Sequence, residues 1–458
     1  MDAPVKLLLL LGGLAPGVLA AAAGAVGPVP GPGSGARDGW SETSRAAVVS
    51  AVRVGAACPA PPAAEPGESI ARRVIRYLAD DALEGRLAGS DGERCAAEFV
   101  AREFERIGLR PAGPDGGFFQ EVPLASAINP HAPAGTGRNV IARLDGRDPE
   151  LRNEFVVIGA HIDHLGRGAM GSLAPDEKGA IHNGADDNAS GVGALVALAE
   201  RLAANPPARS VLFLAFTGEE SGLLGSEYFV NHPTVPLAQV RAMLNMDMVG
   251  RLEADPMLVY GVATAEEWRA MLDEAQAAHG VPMVYHGDGV GPSDHTSFYL
   301  KDIPVLHFFT NVHEDYHRPS DDWEKIDFEG VEKVVAVVEQ IARGVADRRE
   351  VLTLVRGQAP PPATTRGSGY GAYLGTVPDY SPADYGVRLS GVREGSPADE
   401  AGLRAGDIIV RFDDEEIADL VAMTEALRVR KPGDTVRITV LRDGATVTVT
   451  AKLGSRGS

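Results

Sequence analysis

A chain of 458 residues is too long for one compact domain, and an apolar content of 44% can fill more than one core. Its 43 basic against 63 acidic side chains give a formal net charge of −20, which excludes nucleic acid as the main partner; no long basic run or aromatic platform offsets it. The acidic surplus suits a soluble protein, and part of it can serve cations.

At the start, Lys6 precedes LLLLLGGLAPGVLAAAAGAVG, an apolar stretch with small residues around Ala20 to Ala25. This is the pattern of an export signal over residues 1–26, with a membrane anchor as the alternative. Gly12, Gly13, Pro16 and Gly17 interrupt the stretch and Pro/Gly-rich sequence follows, which favours cleavage and a secreted, periplasmic or extracellular protein. No other stretch approaches the roughly 20 apolar residues of a spanning helix, so no stable membrane span is expected after cleavage. Residues 27–66 read as a Pro/Gly/Ala-rich linker, with one short helical pattern near Ser44 to Val54. Cys58 and Cys95 are compatible with one disulfide in an oxidising compartment, and equally with two free thiols.

From Ser69 the pattern changes. SIARRVIRYLADDALEG and GERCAAEFVAREFERIG carry apolar residues at helical spacing. Strands and helices then alternate. NVIARLDG, EFVVIGAH, SVLFLAF, the end of LAQVRAMLNMD, PMLVYG and IPVLHFF read as strands. GVGALVALAERLAAN, AEEWRAMLDEAQAAHG and FEGVEKVVAVVEQIARGVADRR read as helices. Such strands, apolar almost throughout, predict an α/β domain over 67–350 with a mixed, mostly parallel central sheet flanked by helices. Pro and Gly dominate RGQAPPPATTRGSG, giving a linker at 351–369. About ninety residues of short strand patterns and one helix remain, enough for a small domain at 370–455.

Five polar clusters stand beside these elements, four of them directly after an apolar strand. HIDHLG holds His161, Asp163 and His164; HNGADDNASG, just before a helix, holds Asp186 and Asp187; TGEE holds Glu219 and Glu220. Asp247 follows AMLNM, and TNVHEDYHRPSD holds His313, Asp315, Tyr316 and His317. Each has an ordinary explanation alone. A single His beside a strand is commonly structural, Asp187 or Ser190 could cap the helix starting near Gly191, and a Glu pair is commonly a solvated loop. Ligands of open α/β sheets bind at the carboxyl ends of the strands, however, so the clusters should converge on one crevice. Adjacent carboxylates at a buried strand end repel and resist desolvation, which a bound cation would relieve.

AHIDHLG, NGADDNASG, FTGEESGLLGS, LNMDMVGR, GPSDHTSFYLKDIPVLHFFT and DYHRPSD resemble the motif series of the M28 family of zinc peptidases, which includes bacterial leucyl aminopeptidases; YLADDALEGRLAGS resembles that family's N-terminal helix and loop. The resemblance runs from about Ser69 to Arg349 and implies the zinc exopeptidase fold. It implies one zinc on His161 and Asp247, another on Glu220 and His317, and Asp187 as the bridge. Asp187 is preferred over Asp186 because the family's bridging carboxylate stands one residue before (N/D)-x-S-G; Asp186 then supports or caps. It also implies that Asp163 hydrogen-bonds the far nitrogen of His161. Glu219 would take the proton of the attacking water, Tyr316 would donate to the oxyanion, and Asp294 and His295 would line the pocket. His164, His182, His286, His307 and His313 receive no metal role. Three carboxylates and two imidazoles without thiolate suit two Zn2+ ions, with Mn2+ or Co2+ as alternative occupants.

AYLGTVPDY, GVRLSGVREGSPADEAGLRAGDIIVRFDD and LRVRKPGDTVRITVLRDGATVTVTAKL resemble a PDZ domain of the type found in bacterial proteases, a small β-sandwich or barrel. Tyr373, Leu374, Gly375 and Thr376 match the loop whose N–H groups cradle a peptide C-terminus; the alternative is a groove packed against the chain's own linker or catalytic domain. The leading expectation is a secreted two-zinc aminopeptidase acting on peptides or proteins. The alternatives are a carboxypeptidase or glutaminyl cyclase on the same fold, and an inactive peptide-binding protein.

Overall fold

The computed structural model describes residues 57–454 apart from 125–134, 169–170, 175, 253–255, 288, 357–371, 379–384, 393–394, 419–421, 424–425, 428 and 443. The expected signal segment, most of the first linker and most of the second linker lie outside the described residues.

Nine strands form one sheet among the described residues: β1 (Arg110–Pro111), β2 (Phe119–Pro123), β3 (Thr136–Leu144), β4 (Phe155–His161), β5 (Ser210–Phe216), β6 (Val240–Met246), β7 (Met257–Tyr260), β8 (Met283–Tyr285) and β9 (Val305–Phe309). Their spatial order is β1-β3-β5-β4-β6-β9-β7-β8, with β2 also on β3. The central run β5-β4-β6-β9 is parallel, while β3 and β7 join it antiparallel. The sheet is thus mixed with a parallel centre, as its apolar strands predict.

Every residue of β4 and β5 is buried because both faces of the sheet are covered. Val156, Ile158 and Ala160 of β4 face one core with α1 (Ile70–Leu78), α2 (Asp91–Ile107), α3 (Gly191–Ala204), α5 (Trp268–His279) and α7 (Phe328–Ala346). The alternate residues Phe155 and Val157 face a second core with Phe229 of α4 (Leu224–Asn231) and Phe298 of α6 (His295–Tyr299). That period of two is the strand geometry itself. Helix α2 begins where Ser90 Oγ accepts from the Glu93 N–H and ends at Gly108, whose φ of 93° closes the last turn. A disulfide joins Cys58 to Cys95 of α2, resolving the two readings of the cysteines.

The C-terminal residues build a separate core on an antiparallel sheet. Its strands are β10 (Thr376–Pro378), β11 (Val387–Val392), β12 (Ile408–Phe412), β13 (Glu415–Glu416), β14 (Thr435–Arg442) and β15 (Ala445–Lys452), with α8 (Pro397–Glu400). No described helix is long and apolar enough to cross a membrane.

Candidate metal centre

Because β5, β4, β6 and β9 lie side by side and run parallel, their carboxyl ends bring distant residues together. His161 is the last residue of β4, Glu219 and Glu220 lie just beyond β5, Asp247 follows β6 and His317 lies in the loop after β9. Asp187 sits in the turn leading into α3. His161 Nε2 is 3.3 Å from Asp187 Oδ1 and 3.2 Å from Asp247 Oδ1. His317 Nε2 is 3.1 Å from Asp187 Oδ2 and 3.4 Å from Glu220 Oε2. Asp187 therefore offers one oxygen to each imidazole, and the five expected ligands fall into two groups that share it.

Donors held about 2.0 Å from a tetrahedral zinc are themselves about 3.3 Å apart, so spacings of 3.1–3.4 Å lie within a few tenths of an ångström of those around a cation in each group. The tautomers agree. His317 Nδ1 is 2.9 Å from the Gly171 carbonyl and His161 Nδ1 is 3.2 Å from the Asp163 carbonyl, which leaves each Nε2 facing the carboxylates. That contact corrects one expectation. The Asp163 carboxylate lies 3.9 Å from His161 Nδ1, beyond hydrogen-bond length, and instead its Oδ1 accepts the Glu219 N–H at 3.1 Å. The turn after β4 points the carbonyl of Asp163 at the ring and its side chain towards the neighbouring β5 loop.

The proton affinities show a cluster short of positive charge. Burial alone would push His161 down, yet the charges of Asp247 and Glu219 hold it well above the ordinary imidazole range. His317 is likewise opposed by burial but raised to about 10 by Glu220 and Asp187. Burial would raise Glu220, but the charge of His317 and hydrogen bonds from His164 and His317 bring it to about 2. Its neighbour Glu219 goes the other way, held well above the carboxylate range by burial and by Asp247, Glu220 and Asp294. Asp294, fully buried, is raised to about 7, chiefly by burial. Divalent cations would replace the protons that the raised groups otherwise hold, and the donor set fits them.

Three participants were not assigned roles from the sequence. His164, left without a metal role, is fully buried with Nδ1 2.9 Å from Glu220 Oε1 and 3.8 Å from Asp187 Oδ2. Asp321, at the end of DYHRPSD, accepts the N–H groups of Asp186 and Asp187 on one oxygen, at 2.9 and 3.1 Å, while Arg251 reaches its other oxygen at 3.3 Å. Arg86, fully buried, donates to the carbonyls of Ile162 (2.9 Å), Asn183 (2.6 Å), Gly184 (3.0 Å) and Leu78. It thereby ties α1, the turn after β4 and the turn before Asp187 together. A buried Arg in a helix–loop motif offers a sequence signal only once its burial is known.

Asp186 does not cap α3. Its Oδ1 accepts the Gly250 N–H and its Oδ2 lies 3.1 Å from His313 Nε2. Ser190 donates to the Asp186 carbonyl, and Asn188 Oδ1 takes the first helical N–H, that of Gly191. The peptide between Asp187 and Asn188 is cis. Asp315 is occupied by Lys325, Ser320 and Arg251, away from the two groups. Tyr316 stacks on the His317 ring, centroids 3.9 Å apart, beside Met248, Leu258 and Phe309. His295 stacks on His307 at 4.6 Å, both buried.

In the C-terminal domain the four loop residues divide. The Tyr373 N–H is donated to the Gly454 carbonyl and so does not belong to a free cradle, a correction that follows from Tyr373 pairing as an extended residue. Leu374 is buried in the core and its carbonyl accepts from Ala398. Gly375 has a φ of 84°, which turns the chain from that pairing towards Thr376 at the start of β10.

Comparison with known proteins agrees with this architecture. Residues 139–342 match the model of Peptidase family M28 and residues 373–453 that of a PDZ domain. Leupeptin-inactivating enzyme 1 of Streptomyces exfoliatus is 32% identical over 186 residues, 40% of this chain and 37% of that protein. Probable leucine aminopeptidase 2 of Aspergillus oryzae is 29% identical over 186 residues, 39% of this chain and 34% of that protein. The match thus spans well under half the length of either relative. The crystal structure of a Zn-dependent exopeptidase from Parabacteroides distasonis superposes with a TM-score of 0.51 at 19% identity, over 62% of this chain and 99% of that one, a likeness of fold. Residues 139–342 thus resemble peptidase family M28, and residues 373–453 resemble a PDZ domain.

Proposed function

We propose that the protein is a zinc-dependent aminopeptidase that hydrolyses peptides with two cations, one on His161 and Asp247, one on His317 and Glu220, bridged by Asp187. The observation that carries this reading is Asp187 itself, whose two oxygens each meet a different imidazole at 3.1–3.3 Å. The names of the relatives, a leucine aminopeptidase among them, support the same substrate class. Bound there, the cations would polarise the scissile carbonyl and acidify a water.

The chain's own residues do the rest. Glu219, unlike Glu220, is not committed to an imidazole of the cluster, and its position is fixed from the backbone by Asp163. It accepts the proton of the attacking water and passes it to the leaving amine, a role typically worth about 10²- to 10⁴-fold in rate. Tyr316, held on the His317 ring, would donate to the oxyanion. The PDZ domain would engage a peptide C-terminus or a partner segment. The Cys58–Cys95 disulfide supports export to an oxidising compartment.

A panel of amino-acid amides and N-blocked peptides, assayed with and without chelator, tests the reading. Turnover confined to free-amine substrates and abolished by the chelator is expected. Glu219→Gln should lower kcat by about 10²-fold or more while zinc content stays unchanged. Turnover of N-blocked peptides at equal rates, or full activity of the Gln variant, rejects it.

A further inference from the structure

The two oxygens of Glu220 face different groups. Oε2 is 3.4 Å from His317 Nε2, the same nitrogen that Asp187 Oδ2 approaches at 3.1 Å. Oε1 is 2.9 Å from His164 Nδ1. Glu220 Oε2 and Asp187 Oδ2 converge on one nitrogen, as donors around a common cation would, whereas His164 Nδ1 meets Glu220 Oε1 alone at the length of a direct N–H···O bond. His164 Nδ1 lies 3.8 Å from Asp187 Oδ2, so the ring addresses Glu220 rather than the bridge.

The ring's orientation serves this one bond. His164 is fully buried, and its Nε2 meets no hydrogen-bond partner, so Nδ1 carries its polar engagement. Its backbone is pinned as well, since the His164 N–H donates to the Arg86 carbonyl and the residue pairs with Leu87. Gly184 covers the imidazole so closely that a Cβ there would stand 2.5 Å from its Cγ and Cδ2. A ring boxed in this way and denied a partner on one nitrogen is a fixed donor on the other.

We propose that His164 is a positioning residue for the second cation. Its Nδ1–H holds Glu220 Oε1, so that Glu220 presents Oε2 alone and binds through one oxygen. One-oxygen binding keeps a coordination position open for substrate or water. His161 and His164, three residues apart at the end of the same strand, thus serve different cations, the first as a direct ligand and the second through Glu220. The proposal rests on the two-cation reading above.

The test is zinc competition against a chelating chromophore on the full chain. His164→Phe keeps the ring's bulk and removes the donor, whereas His164→Asn places an amide N–H near the lost Nδ1. The Phe variant should weaken one zinc affinity by about 10- to 100-fold, the usual cost of losing such a support, and leave the other unchanged. The Asn variant should recover most of the loss. Wild-type affinities in the Phe variant overturn the proposal, and so does an equal loss in both variants, which would mark a packing role. A second measurement removes the dependence on those folds. Since Cys58 and Cys95 are paired, His164→Cys introduces a unique thiol. The cobalt-loaded Cys variant should show no thiolate-to-metal charge-transfer band, and such a band would make position 164 a ligand and overturn the proposal. If the wild type saturates at one ion, the two-cation reading falls, while His164 is judged by the same affinity ratio on that ion.

Discussion

Two neighbouring glutamates at this site have opposite proton affinities. Glu220 is drawn down by His317 and by donated hydrogen bonds, whereas Glu219, enclosed among other carboxylates, is driven up. The difference comes from which group each side chain faces, not from local sequence. The turn that carries Asp187 depends on Asp321, whose single oxygen Oδ2 receives the N–H groups of both Asp186 and Asp187. Asp321→Ala leaves two buried donors unpaired, at about 1–3 kcal/mol each, and frees the turn that carries the shared ligand. Both zinc affinities should fall together by about 10- to 100-fold, in contrast to the single loss expected at position 164. A calorimetric titration reads both, and two affinities unchanged from wild type would refute the role given to Asp321. At this scale His161, Glu219, Glu220 and Asp247 were legible because each stands at or just beyond an apolar strand end, whereas Asp187 and His317 rested on their motifs. Asp321, His164 and Arg86 were not, because each acts across the fold on a backbone group or carboxylate far away in sequence. Asp163 shows the limit of transfer by motif: the residue is in place, but its carbonyl rather than its carboxylate meets the ring.

Elements were more legible than their fastenings. Runs such as VVIGA and VLFLA cannot be solvated, so their lengths and the turns beyond them marked β4 and β5 well. Pairing order is not written in an apolar run, and neither the antiparallel entry of β3 and β7 nor the joining of Cys58 to Cys95 followed from spacing. In the PDZ domain the fastening is a buried ion pair. Asp407 is fully buried and receives Arg442 Nε and Nη2, both at 2.7 Å, and the Arg404 N–H at 3.0 Å. Burial opposes its ionisation, but these donors hold it below the ordinary carboxylate range. A depressed Asp contributes stability that is present above its unfolded value, near about 3.9, and lost as pH falls through the lower folded value. Asp407→Asn should therefore destabilise this domain at neutral pH by about 3 kcal/mol, the low end for a buried pair because Arg442 stays 21% exposed. The gap between variant and wild type should shrink as pH falls below the unfolded carboxyl value and through the lower folded one. Denaturant melts across pH measure it, and a gap that persists undiminished in acid would assign the effect to packing.

For the molecule as a whole, the two sets of elements keep separate apolar cores, one pair lining the peptidase sheet and another inside the PDZ sheet. Among the described residues, the first set alone ends in a cluster of buried acids and imidazoles that could hold a cation. Ions that bind the folded form and not the unfolded one add stability by mass action, about 2.7 kcal/mol per site at a hundredfold excess over Kd. Two sites sharing Asp187 would then contribute about 5 kcal/mol, a rise of roughly 10 °C or more for a domain of this size. The same ions have no such cluster to enter among the described PDZ residues, so that part of the chain should not respond. Calorimetry of the full chain should show one transition that climbs with zinc and drops with chelator, beside a second that follows Asp407→Asn and ignores both. A single transition that zinc leaves in place would separate the acidic cluster from metal binding, because burial of this many carboxylates around two imidazoles would then be tolerated by protonation alone.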